Sequence, residues 1–232
     1  MNEIQSKYFQ FEELKNETKP ETKFYHYLGW NSLIILKLEI KKNAKIDFKK
    51  INQNYSKISN KQKIFVLTEG ECNFEIEKTI HNLKKFDAVD LVAGNEQYEL
   101  KAIEDSLIYI VSAFNLEKQD GKPKIFNFEK NIESKNLWGG QIISRPYEGN
   151  GLTFVLFDLK KGFKFEDKGH ANEQITWLIS GEMDFYTNNI HKKLNINNGV
   201  DIGPYHLHGG VSGGAKGFDV FFPKRQEVKY KN

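Results

Sequence analysis

Two of the six histidines could do chemistry: His170, close in sequence to an amine, Lys168, and an amide, Gln174, and His208, further along the chain. Three of these residues fall in one segment, Gly162-FKFED-Lys168-Gly169-His170-ANE-Gln174-ITWLIS-Gly181. Imidazole nitrogens bind divalent metal ions and transfer protons near neutral pH. A pocket lysine holds an anion or, with a lowered pKa, serves as a base or Schiff-base amine. Side chains along a strand alternate faces, so Lys168 and His170 project to one side, with Glu166 beside them. The competing role for Lys168 is a solvated ion pair with Glu166 or Asp167. The competing role for each histidine is a hydrogen-bonded wall.

These residues need rigid elements to hold them, and the chain supplies strands. Ser32–Ile40, Lys63–Thr68, Cys72–Ile76, Ser106–Ala113 and Leu152–Leu159 are each short and rich in β-branched or aromatic residues, as are Ile175–Ser180, Met183–Thr187 and Phe218–Phe222. Gly, Asn and Asp punctuate them, and no stretch sustains a helical period. The reading is all-β.

An internal repeat sets the expected architecture. Phe65–Phe74 reads FVLTEGECNF and Thr176–Phe185 reads TWLISGEMDF. Gly70 aligns with Gly181, 111 positions on, and the same offset carries Glu71 to Glu182, Phe74 to Phe185, Leu83 to Leu194 and Gln97 to His208. A constant offset across hairpin and following strands points to a duplicated unit.

The segment from Gly162 to Gly181 resembles the first motif of the cupin superfamily, G-x5-H-x-H-x3-E-x6-G, in every spacing. Asn197–His208 resembles the second cupin motif, with His208 at the histidine position, and the ending Phe218-DVFFPK-Arg225 is similar to a frequent cupin terminus. The resemblance implies two tandem cupin barrels, each a double-stranded β-helix or jelly-roll. The expected divisions are an N-terminal arm at 1–22, a degenerate barrel at 23–114, a linker at 115–137 and a barrel with the candidate site at 138–232.

In cupins the four motif positions converge on one divalent ion. The resemblance therefore names His170, Gln174 and His208 as metal ligands, for iron, manganese, nickel, copper or zinc. The chain departs from the pattern twice, with Lys168 for the first histidine and Gln174 for the glutamate. Both changes leave the ion's charge less compensated. Lys168, Thr176, Arg145, Tyr205 and His206 are candidate substrate-binding residues: Thr176 by alternation from Gln174, Arg145 as a bidentate carboxylate clamp, and His206 as a substitute nitrogen. The positions equivalent by offset in the first half are Lys57, Ser59, Lys63 and Gln97, which offer no histidine or carboxylate. Trp30, Trp138 and Trp177 are read as core or interface residues, and Gly209, Gly210, Gly213 and Gly214 as a flexible loop at the pocket mouth.

Composition bounds the function. With 39% hydrophobic and 28% charged residues, the chain is an ordinary globular sequence. A net charge of +3 with scattered lysines argues against nucleic acid. No apolar run approaches a membrane span, and no targeting signal opens the chain. The single cysteine, Cys72, permits no intrachain disulfide, in keeping with a reducing cytoplasm. The expected partner is a small-molecule ligand, with a homodimer as a further expectation, and the first barrel is expected to stabilise the molecule by packing strand against strand and covering exposed edges. The function expected is a small-molecule pocket in the C-terminal barrel, serving a metal-dependent enzyme of an anionic or sugar-like metabolite. The alternative is a non-catalytic binding or structural bicupin.

Overall fold

The structure is a computed structural model that describes residues 5–15, 19–30, 32–48, 61–91, 98–116, 121–188 and 190–225. Strands dominate it, and no helix among the described residues is long and apolar enough to cross a membrane. The chain divides into two compact units, one of residues 11–28 and 34–131, the other of residues 1–10, 29–33 and 132–232.

The first unit holds a four-stranded and a seven-stranded sheet. Its strands alternate between buried and more accessible positions, as Cys72–Ile76 and Tyr98–Ala102 show. The inward faces meet in a core filled by aromatic rings. Phe48 lies 5.1 Å from Phe65 and 4.9 Å from Tyr98, and Phe74 stacks on Tyr98 at 5.7 Å between ring centroids. Of the positions equivalent to the candidate ligands, Lys63 is buried and its Nζ donates to the Lys61 carbonyl at 3.2 Å. Lys57, Ser59 and Gln97 lie outside the described residues.

The second unit is built on one nine-stranded sheet. Its centre is a pair of fifteen-residue antiparallel strands, Glu173–Thr187 and His208–Phe222, bonded from Glu173↔Phe222 to Thr187↔His208. The 111-residue offset reappears in strand register. Cys72 pairs with Leu83 as Met183 pairs with Leu194, and Ile64 pairs with Asp90 as Ile175 pairs with Asp201.

Three segments differ from the sequence reading. The stretch expected as an arm forms strands: Lys7–Gln10 pairs with Asn198–Ile202 in the second unit, and Glu12–Glu13 pairs with Thr22–Leu28 in the first. The expected linker likewise supplies Lys124–Asn127 to the first unit and Lys135–Leu137 to the second. These polar segments lack a strong pattern because they are edge strands, held by backbone bonds more than by buried side chains. The third is the glycine-rich stretch after His208, which lies inside the strand His208–Phe222 rather than in a loop. A Cβ at Gly209 would lie 2.4 Å from the Phe165 carbonyl oxygen, so glycine there admits a neighbouring strand rather than motion.

Within the second unit, residues 29–33 are held to its sheet by two buried carboxylates. Glu173 Oε2 accepts the Ser32 amide at 2.9 Å and the Leu33 amide at 3.2 Å, and Asp201 Oδ2 accepts the Trp30 amide at 3.0 Å. Such charge-assisted bonds are stronger than neutral ones and satisfy backbone donors that burial would otherwise leave without water.

Candidate functional site

A cavity of about 690 Å³ opens within the second unit. The polar groups around its two histidines come from three strands and one connection. The strand Lys164–Asp167 pairs with His208–Phe222 and sets Asp167 directly opposite His208. The strand Glu173–Thr187 carries Gln174 and Thr176, opposite Phe221 and Asp219. His170 comes from the short connection at 168–172 between the first and third of these segments.

That connection explains why simple alternation misplaced its residues. The strand ends at Asp167, and Gly169 has φ of 95°, in the left-handed region that glycine alone adopts without penalty. A Cβ there would also lie 2.5 Å from the Tyr205 carbonyl carbon. The reversal lets Asp167, His170 and His208 converge, with one ligand atom from each lying within 4.8 Å of the others. Glu166 does not pair with Lys168, since its carboxylate accepts the Tyr186 hydroxyl at 2.9 Å. Asp167 instead accepts Arg225 Nη2 at 2.8 Å and the Gly169 amide at 2.9 Å.

Hydrogen bonding orients both rings. The His206 carbonyl accepts from His208 Nδ1 at 2.9 Å, which leaves Nε2 of the neutral ring as the lone-pair nitrogen. Gln174 Nε2 donates to Thr176 Oγ1 at 3.0 Å and to Asp219 Oδ1 at 3.2 Å, so its oxygen faces His170 Nε2 at 2.8 Å. His170 Nε2 then carries the proton, and Nδ1, buried without a hydrogen-bond partner among the described residues, carries the lone pair. The two rings stand edge to face, 5.5 Å between centroids.

Burial, with the Arg225 charge nearby, lowers the His170 pKa to about 4, and burial also lowers that of His208. Both imidazoles are therefore neutral donors at neutral pH. Burial pushes Asp167 up, but the bonds from Arg225 and the Gly169 amide outweigh it and hold the carboxyl below its ordinary range. The donor set is thus two neutral imidazoles and one carboxylate, a combination suited to first-row divalent metals. Its chemistry fits a metal ion, and the unpartnered His170 Nδ1 is the observation that supports the fit.

Asp219 is enclosed by protein except where it faces the cavity. Burial raises its pKa to about 6, against the lowering effect of the Thr176 bond at 2.5 Å and the Gln174 bond. In the native state Asp219 therefore keeps a proton that the unfolded chain releases near the ordinary carboxyl value of 3.8. The associated stability is present below about pH 4 and is lost as pH rises through about 6. An Asp219→Asn variant lacks this loss. Its stability in chelator-treated protein is expected to exceed the wild type's by about 2–3 kcal/mol at pH 7 and to converge with it near pH 4. Urea midpoints at the two pH values measure the difference, and a constant gap would contradict the assignment.

Of the residues singled out from sequence, Lys168, His170, Gln174, Thr176 and His208 line the cavity. Arg145, Tyr205 and His206 do not. Ser144 and Pro146 face the cavity, so alternation turns Arg145 to the opposite face of the strand, where its Nε and Nη1 are buried. Tyr205 is 73% exposed and contributes its backbone N–H, which donates to the His170 carbonyl at 2.8 Å. His206 is buried elsewhere, its Nδ1 2.8 Å from Ser6 Oγ, because the chain before His208 is a turn rather than extended strand. Trp138, expected in a core or interface, lines the cavity and is 48% exposed.

Sequence reasoning missed Asp167, Asp219 and Arg225 as site residues. Asp219 had a signal available, since it is two residues from the inward-facing Phe221 on one strand. Arg225 had none, because it lies beyond the strand end and is placed by its backbone bond to Thr153 Oγ1 at 3.1 Å.

This arrangement of long antiparallel strands around a His-containing cavity is the cupin fold, as structural neighbours show. The chain is similar to a protein described as glyoxylate-induced from Pseudomonas aeruginosa, with a TM-score of 0.76, 10% identity, and coverage of 100% of this chain and 94% of that one. A cupin 2 conserved barrel domain protein from Leptotrichia buccalis matches with a TM-score of 0.62 and 12% identity, over 97% of this chain and 99% of the other. Oxalate decarboxylase from Bacillus subtilis matches with a TM-score of 0.71 and 9% identity, over 99% of this chain and 80% of that one. No protein-family model and no curated protein matches the sequence.

Proposed function

We propose that the chain is a two-barrel cupin, one barrel in each unit, whose second barrel binds a divalent metal ion and a small anionic metabolite. The observation that carries this reading is the convergence of Asp167, His170 and His208 within 4.8 Å at the wall of a cavity of about 690 Å³. The volume lies in the range of small-molecule sites. Of the positions that the sequence resemblance named, His170 and His208 belong to this donor set. Gln174 serves in place of a ligand as the group that fixes the His170 tautomer.

A bound ion would supply Lewis-acid polarisation of a ligand carbonyl or carboxylate. The protein's own groups do the rest. Arg225 and the Gly169 amide hold Asp167 in place and ionised. The His206 carbonyl orients His208. Lys168, with no ion pair to a described residue, adds a positive charge at the cavity wall for the anion.

A non-catalytic binding protein that uses the same cavity with no metal is the second reading. It is favoured by the Arg225–Asp167 pair, which already neutralises the carboxylate that an ion would need. Titration with Mn²⁺ in a competition assay decides between them. Wild-type protein is expected to bind one ion per chain, and His208→Ala to lose at least tenfold in affinity. Absence of saturable binding by the wild type would leave the second reading.

A further inference from the structure

We propose that the ligand of the second-unit cavity is an amphipathic carboxylate, with its head at the Asp219–Arg225 end and an extended apolar tail along the strands. This rests on the reading that the cavity is a ligand site. The strand register arranges inward residues in rows. Gln174, Phe221 and Thr153 form the first row, and Thr176, Asp219 and Val155 the second. Further along the same strand come Phe157 and then Leu159, which pairs with Ile142. All of these residues line the cavity.

Each row is two residues, or about 7 Å, further along the sheet. Polarity therefore falls along this strand, from amide, hydroxyl and carboxyl groups to aromatic and aliphatic ones, with Ser144 and Lys135, paired beside Phe157, as the polar exceptions at the far end. Met183 and Phe185 extend the apolar wall. Trp138 stands past Leu137, which pairs with Ile142, and so marks the apolar end. A sugar would leave its hydroxyls facing this wall without partners, at a cost in every lost hydrogen bond.

The polar end calls for an acceptor. Lys168 has no ion pair to a described residue, and Arg225 Nε is buried without a hydrogen-bond partner among them. Both are donors. The nearby carboxylates are already engaged: Glu148 with Lys224 at 2.5 Å, Glu166 with Tyr186, and Asp167 with Arg225 Nη2. Asp219 accepts from Thr176 and Gln174. An oxyanion head satisfies the free donors, whereas an ammonium head would add a third cation beside them.

The test is a binding series of butanoate, octanoate and dodecanoate, with 1-dodecanol and dodecylamine as head-group controls. It is run on full-length protein treated with chelator and on protein saturated with Mn²⁺. The dissociation constant is expected to fall about threefold per added methylene, somewhat below the full transfer value. The alcohol and amine should bind at least tenfold more weakly than dodecanoate. Lys168→Gln, at an exposed position, should weaken dodecanoate severalfold while leaving dodecanol unchanged. The longer acids should alter Trp138 emission, and Trp138→Phe should abolish that change. A flat length series, or equal binding of alcohol and acid, overturns the inference. Mn²⁺ binding with a flat length series overturns the inference alone and leaves the metal site standing. A steep series in protein that binds no Mn²⁺ removes the metal site and keeps the amphipathic ligand.

Discussion

A Lys168→His, Gln174→Glu variant is expected to bind Mn²⁺ about a hundredfold more tightly than the wild type, while becoming less stable without metal. The gain has two sources. A carboxylate at 174 accepts from His170 Nε2 as a charged partner, which makes Nδ1 a stronger donor, and adds a negative charge across the ring from the ion. A histidine at 168 removes a cation and adds a nitrogen donor. The cost arises from a contact that the sequence motif did not reveal. Gln174 Nε2 donates to Asp219 Oδ1, so a glutamate would set two carboxyl groups against each other where an N–H now stands. Without metal the pair would have to share a proton.

The variant should therefore show a larger metal-induced rise in melting temperature than the wild type, starting from a lower value. Paired Mn²⁺ titrations and thermal melts, with and without chelator, measure both effects. Equal affinity in the two proteins would mean that neither 168 nor 174 acts on the ion. Gln174 is then understood as the residue compatible with Asp219: an amide satisfies a carboxyl group on one side and His170 on the other, which a carboxylate cannot do.

Gly181→Ala is expected to destabilise the second unit by about 4 kcal/mol or more, a large part of the stability of a typical domain. Gly181 has φ of 76°, and a Cβ there would lie 1.7 Å from the Gly214 carbonyl oxygen. That atom belongs to the paired strand and cannot rotate away. Gly139→Ala provides the control, because its φ is 63° but a Cβ there meets nothing within 4 Å. It isolates the conformational penalty, about 1 kcal/mol. All three tryptophans lie in the second unit, so urea unfolding followed by tryptophan emission reports that unit selectively. Similar losses for the two variants would show that the strands can separate at Gly181 without consequence.

How much of this was legible in the sequence depends on the range of the interaction involved. The all-β character, the central strands and the 111-residue repeat follow from local patterns. Alternation, β-branched content and turn glycines act between residues near in the chain, and the repeated register Cys72↔Leu83 and Met183↔Leu194 reflects hairpins closed by local turns. His170 and His208 were legible because motif spacing preserves which residues a fold brings together. The polar edge segments were not, since Lys7–Gln10 gains its partner from a strand nearly 200 residues away in sequence, Asn198–Ile202.

The sequence by itself determined that strands would form, that a pattern recurs at an offset of 111 residues, and that two histidines stand at motif spacing in the C-terminal half. Only the tertiary structure decided what completes the site. The left-handed turn at Gly169 brings Asp167 to the two histidines and leaves Lys168 without either expected carboxylate partner. The pairing of Thr176 with Asp219 buries a carboxyl against Gln174, and the strand rows grade the cavity from polar to apolar. The physical reason is that alternation specifies a side chain's face only while the backbone stays extended. Hydrogen-bond partners, desolvation and cavity shape arise between segments distant in the chain, and they exist only once the strands have paired.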